Sequence, residues 1–144
     1  MKTYSPKLSD ISRKWYLIDA VDLPLGRLST TVAKLLIGKD KVTYSPHIDN
    51  GDFVVIINAD KLKVTGSKTD SKIYYRHSGY PGGIKSRTLK EQSEIDSRKI
   101  IEHSVKGMLP KNKLQSERIK RLKIYPSENH PHDPQKPHKI GVNK

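Results

Sequence analysis

The side chains best suited to chemistry fall into four groups. Tyr74-Tyr75-Arg76-His77 sets aromatic faces beside cations, the combination that stacks on unpaired bases while holding phosphate. As a strand it alternates, with Tyr74 and Arg76 pointing one way, Tyr75 and His77 the other, so that one tyrosine is expected in the core. Gly79-Tyr-Pro-Gly-Gly-Ile-Lys85 follows. A nucleotide-binding Walker loop needs Gly-Lys-Ser/Thr, because lysine and hydroxyl must reach phosphate and metal, and that triplet does not occur in this chain. A turn through which backbone approaches RNA phosphates and a plain surface turn both stay open. His130-Pro-His-Asp133 offers His-x-His plus a carboxylate, yet a closed structural zinc site takes four ligands. RNA contact and a solvated tail stand beside the metal reading there. The fourth group runs from Lys106 to Lys123, with seven cations against the single acid Glu117.

Acid–base catalysis finds weaker footing. Asp19, Asp22, Asp49, Asp52 and Asp60 lie near the ends of expected strands, where α/β enzymes place their sites. The same residues serve equally as turn formers and caps. There is no nucleophile elbow, no His-Glu-x-x-His and no cysteine nucleophile. Neither an enzyme nor a resident metal or cofactor is expected, and no small-molecule substrate.

These groups need elements to position them. Met1 to Lys14, with Lys2, Lys7, Arg13 and Lys14 against Asp10, reads as an extended basic arm. Trp15 to Ala20 reads as a strand. After a turn at Asp22–Gly26, Leu25, Leu28, Val32, Leu35 and Leu36 recur at helical spacing up to a stop at Gly38. Phe53 to Asn58 opens with five apolar residues without alternation, the mark of a strand covered on both faces in a parallel sheet. Strand, helix and strand make one βαβ unit, expected to be right-handed. Leu62 to Thr65 and Ile73 to His77 are further extended pieces. Thr88 to Ile95 is a weak helix, and a stronger one starts at Ser97 as N-cap, with Ile100, Ile101, Val105, Met108 and Leu109 inward. Pro110 forbids its continuation. Lys113 to Leu122 is a short basic helix, and 126–144 is irregular, rich in proline and histidine. The expected organisation is an arm (1–14), one α/β domain (15–125) and a tail (126–144).

Composition points the same way. The 144 residues hold 28 Lys plus Arg against 15 Asp plus Glu, a formal net charge of +13. With 33% hydrophobic residues the core is real but modest. Like charges confined to one small chain repel, and nucleic acid is the polyanion that relieves them. From Lys61 to Lys90 alone there are eight basic residues and one acid, Asp70. With no cysteine, disulfides are excluded. The first residues lack an apolar signal core, and no apolar run reaches the roughly 20 residues of a membrane helix. A cytoplasmic protein without a membrane partner is expected.

Several stretches, in order, resemble one family: Trp15-Tyr-Leu-Ile-Asp-Ala20, Leu25-Gly-Arg-Leu28, Tyr44-Ser-Pro-His47 with Gly51-Asp52, Asn58-Ala-Asp-Lys61 and Val64-Thr-Gly66. The series continues through Lys72-Ile-Tyr-Tyr-Arg-His77, Gly82-Gly-Ile-Lys85, Val105-Lys-Gly-Met-Leu-Pro-Lys111, Lys123-Ile-Tyr125 and His130-Pro-His132. The chain thus resembles the bacterial-type large-subunit ribosomal protein L-thirteen (universal uL-thirteen family) over about residues 14–138. The resemblance implies a three-layer α/β/α domain around a mostly parallel sheet of about four strands. It also implies large-subunit rRNA and neighbouring large-subunit proteins as partners, an early part in subunit assembly, and no catalysis. An added regulatory contact with mRNA stays open. The family's tail carries alanine where Pro134 stands here.

The residues expected to meet RNA follow from both lines. Around the first helix and the next loop they are Arg27, Lys39, Lys41, Tyr44 and His47. Across the middle they are Lys68, Lys72, Tyr74, Arg76, His77, Gly82, Gly83 and Lys85. Beyond it come Lys106, Lys111, Lys113, Arg118, Lys120, Arg121 and Lys123, then His130 and His132 in the tail.

Overall fold

The computed structural model describes residues 5–141. In chain order its main elements are β1 (Trp15–Asp19), α1 (Leu25–Ile37), β2 (Phe53–Ile57), α2 (Lys68–Ser71), β3 (Ile73–His77) and β4 (Ile84–Thr88). They continue as α3 (Leu89–Met108), α4 (Leu114–Lys120), β5 (Leu122–Ile124) and β6 (His138–Lys139). A four-stranded sheet runs β5-β2-β1-β6, parallel at every pairing and flanked by helices. The α/β class, the parallel pairing and the number of strands match expectation.

The first βαβ unit follows its sequence pattern. Leu25, Leu28, Val32 and Leu36 of α1 are buried, because three- and four-residue steps hold them on one face. Gly38 ends the helix in a left-handed conformation (φ +76°), its N–H donating to the Lys34 and Leu35 carbonyls at 3.0 and 3.1 Å. Val54, Val55, Ile56 and Ile57 of β2 are buried on both faces, as an uninterrupted apolar run requires.

The edges depart from the pattern. Leu62 to Thr65 forms no strand; only a bridge joins Lys63 to Pro24. Ile73 to His77 is extended as expected, and it pairs antiparallel with β4 in a hairpin separate from the sheet. The expected short basic helix forms as α4, and the edge strands come from the residues just past it and from the tail expected to be irregular. Three and two residues long, β5 and β6 are too short to show a period, and they form because β2 and β1 offer open edges.

The two helical stretches expected near 88–109 form α3, with a break at Asp96 (φ −161°, ψ 99°). Thr88 caps the first part in a reciprocal box, Oγ1 accepting from Glu91 N at 3.3 Å and Glu91 Oε2 accepting from Thr88 N at 3.1 Å. The second part is capped by Asp96 rather than Ser97: Asp96 Oδ1 accepts from Arg98 N at 3.1 Å, a carboxylate being a strong cap acceptor. Ser97 is buried and donates to Asp60. Ile100, Ile101 and Val105 join α1 in the core, where Ser29 Oγ donates to Ser104 Oγ at 2.8 Å. Past that stripe only Leu109 pins the helix end; Met108 is 43% exposed.

On the opposite face of the sheet Trp15 stacks on Phe53 at 4.3 Å, with the His132 ring 5.0 Å from Trp15. The described part of the arm is tied to the sheet rather than free. Lys14 N donates to Asp52 at 2.8 Å, Phe53 N donates to the Lys14 carbonyl at 2.9 Å, and Pro6 is buried. The start of the arm (1–4) and the end of the tail (142–144) lie outside the described residues.

Candidate nucleic-acid interface

The β3–β4 hairpin sorts residues 73–88 into two chemical faces. Its register pairs Tyr74 with Arg87 and Arg76 with Lys85, so these four side chains share one face. Ile73, Tyr75, His77 and Ile84 occupy the other, where Tyr75 is 67% and Ile84 64% exposed. The Gly-rich stretch is the hairpin turn: Gly79 and Gly82 take φ of +89° and +69°, and Ser78 N donates to the Gly83 carbonyl at 3.0 Å. The first face leans on α3. Tyr74 is the tyrosine turned inward, edge-on to His103 at 5.4 Å, and the Lys72 ammonium sits 5.3 Å from its ring centre. Burial pushes the Tyr74 phenol up from its ordinary pKa, and its hydroxyl is buried without a hydrogen-bond partner among the described residues. Between this face and α3 runs a groove of about 580 Å³, walled by Arg76, Lys85, Arg87 and Lys99. Arg87 and Lys99 were absent from the sequence expectation. Alternation through Lys85-Ser86-Arg87 could have found the first, but only helix packing brings up Lys99.

The segment from Lys106 to Lys123 divides its cations between outside and inside. Lys106, Lys111, Lys113 and Lys120 are exposed, and Lys123 is half-buried in β5. Arg118 and Arg121, expected among the RNA-facing cations, are buried at 1% and 5% exposure. They converge on Asp49: Arg121 Nη1 and Nη2 clamp both carboxylate oxygens, the Nη2–Oδ1 distance being 2.6 Å, and Arg118 Nε lies 3.4 Å from Oδ1. Arg121 Nη2 also donates to the Leu36 carbonyl at 3.0 Å, and Arg13 of the arm approaches Asp49 at 3.9 Å. Burial alone would raise the Asp49 pKa; the hydrogen bond from Arg121 and the charges of Arg121, Arg118 and Arg13 outweigh it and hold the carboxyl below its ordinary range. This cluster ties arm, loop and α4 to the end of α1. The loop backbone lies so close to α1 that a Cβ on Gly51 would overlap the Leu36 carbonyl.

Of the other carboxylates near the strand ends, Asp19, Asp52 and Asp60 are engaged in the same structural way. Asp19 accepts from Val21 N at 3.0 Å and from Asn58 Nδ2 at 3.0 Å. Asp52 accepts from Lys14 N and, at 2.6 Å, from Lys41 Nζ, which takes Lys41 out of the free cations. In the tail, His132 Nε2 and the Tyr125 hydroxyl are 2.8 Å apart, and His130 Nδ1 accepts from His132 N at 3.2 Å. Burial, then the charges of His130 and Lys123, lowers the His132 pKa. Both histidines are half-buried against aromatic rings rather than extended into solvent. Arg27, Lys39, His47 and Lys68 are exposed and lie apart from the groove, and Tyr44 is half-buried.

The arrangement is that of a basic α/β protein whose carboxylates hold the fold together and whose uncompensated cations face outward. The sequence matches the family model described as ribosomal protein L13 over residues 13–131. It is 54% identical over 137 residues to the large ribosomal subunit protein uL13 of Maridesulfovibrio salexigens, covering 95% of this chain and 96% of that one. The protein of the same name from Crocosphaera subtropica is 53% identical over 142 residues, covering 99% and 94%, and that from Nocardia farcinica 52% over 137, covering 95% and 93%. The chain belongs to the ribosomal protein L13 family, a family of large-subunit structural proteins rather than enzymes.

Proposed function

We propose that this large-subunit protein binds large-subunit rRNA on two separate surfaces, the β3–β4 hairpin with its groove and the outward cations of Lys106 to Lys123. The division of that segment carries the reading: its two arginines turn inward to one carboxylate, while four lysines stay in solvent. Exposed lysines displace counterions from phosphates, while α3, against which the hairpin leans and at whose end the basic segment begins, keeps the two surfaces at a fixed spacing. A rigid two-point grip of this kind would hold RNA segments together early in subunit assembly. The apolar face of Ile73, Tyr75 and Ile84 suits base stacking or a neighbouring large-subunit protein. An mRNA contact has no observation of its own in its favour and is not part of the proposal. Cosedimentation of the tagged protein with large subunits through a sucrose gradient tests the assignment. Protein that stays with free material would overturn it.

A further inference from the structure

We infer that the groove between the inner hairpin face and α3 seats one unpaired RNA nucleotide together with its flanking phosphates. The inference rests on the rRNA reading above and adds the form of RNA that this site takes. Its first support is charge. Arg76 and Lys85 stand directly opposite one another across the hairpin, an arrangement that destabilises a bare ladder, and Arg87 lies two pairings along on the same face. Among the described residues, none of these three forms an ion pair with an acid, and no carboxylate lines the groove. From the helix side Lys99 reaches in, held only at 4.0 Å by Asp96. Four cations therefore line one groove that no carboxylate of the described residues lines, and a phosphate between them would remove the repulsion.

The second support is shape. At about 580 Å³ the groove falls in the range of clefts that enclose a small molecule. An RNA duplex presents its phosphates along a broad surface and cannot enter such a cleft, whereas a nucleotide extruded from a bulge or loop can. The third is the polar lining. Gln92, 8% exposed, donates through Nε2 to the Asp96 carbonyl at 3.2 Å, so its amide is fixed in orientation. Tyr74 also lines the groove, its hydroxyl buried and without a hydrogen-bond partner among the described residues. Lys106, Lys111, Lys113 and Lys120 are exposed, and a duplex satisfies them equally well.

The test uses the full-length protein and two RNA probes of equal length, a perfect stem-loop and the same stem with one bulged nucleotide carrying 4-thiouridine. Anisotropy titrations should show the parent binding the bulged probe about tenfold tighter, a factor worth about 1.4 kcal/mol. Arg76→Gln with Lys85→Gln and Arg87→Gln should erase that ratio. Lys111→Ala with Lys113→Ala and Lys120→Ala should weaken both probes alike and keep it. Ultraviolet crosslinking of the parent, which involves no substitution, should join the bulged nucleotide to peptides within 73–99. Equal affinity for both probes, a ratio that survives in the groove variant, or crosslinks confined to 106–123 would each overturn the groove assignment alone. Failure to bind either probe would overturn the rRNA reading with it.

Discussion

Arg121→Ala separates two accounts of the basic segment, because charge alone would assign Arg121 to RNA while the fold assigns it to Asp49. The substitution removes a two-pronged clamp on a carboxylate whose side chain is only 14% exposed, and with it the hydrogen bond to the Leu36 carbonyl. Breaking a buried pair from one side costs about 3–5 kcal/mol. Arg118 and Arg13 remain beside Asp49, so its charge is not stranded, and the lower end, about 3 kcal/mol, is expected. That is a large fraction of the ~5–15 kcal/mol by which domains are stable. For a chain of this size it corresponds to a fall in Tm of roughly 6–12 °C. Trp15, the single tryptophan, is stacked in the sheet and reports unfolding by fluorescence in a urea titration. A cycle with Asp49→Ala should return a coupling energy of about 1–3 kcal/mol. Folded Arg121→Ala protein should bind rRNA with the parent's salt dependence. A variant within about 0.5 kcal/mol of the parent that nevertheless binds rRNA with a flatter salt slope would refute the structural role.

Three further outcomes follow from the same geometry. Because the folded Asp49 pKa is depressed, its stabilisation is complete above the unfolded value near ~4 and is lost as pH falls through the lower folded value. Asp49→Asn should therefore be destabilised most at neutral pH, and its deficit should shrink in acid denaturation curves below about pH 4. Gly51→Ala should fail to give soluble folded protein, since the added methyl meets the backbone of Leu36; Gly26→Ala, with open space around it in α1, should gain up to about 1 kcal/mol in the same denaturation assay. Lys111→Ala with Lys113→Ala and Lys120→Ala should reduce the slope of log affinity for rRNA against log salt by about 2–3 while Tm stays within a few degrees, as seen by filter binding and thermal melts.

Legibility varied along the chain with the range of the forces involved. α1 and β2 were readable because each buries a long apolar pattern whose period is local. The halves of α3 were readable for the same reason, although the cap between them fell one residue earlier than expected, on Asp96. The hairpin was half readable. Alternation in Ile73 to His77 put Tyr74 and Arg76 on one face, but β4 hides behind a glycine-rich turn in a segment of mixed polarity.

By itself the sequence determined the central βαβ unit, the stop at Pro110, the cationic surplus and the ordered motifs that mark the family. These depend on composition and on spacing within a turn or two. Only the tertiary structure decided which cations face water. Arg118 and Lys120 sit two residues apart in one short helix, yet one is buried and the other exposed. A guanidinium is tolerated inside only where a carboxylate meets it, and Asp49 is 69 residues away in the chain. The same holds for the groove. Arg76, Lys85, Arg87 and Lys99 become one site only because a hairpin folds back on itself and then leans against a helix.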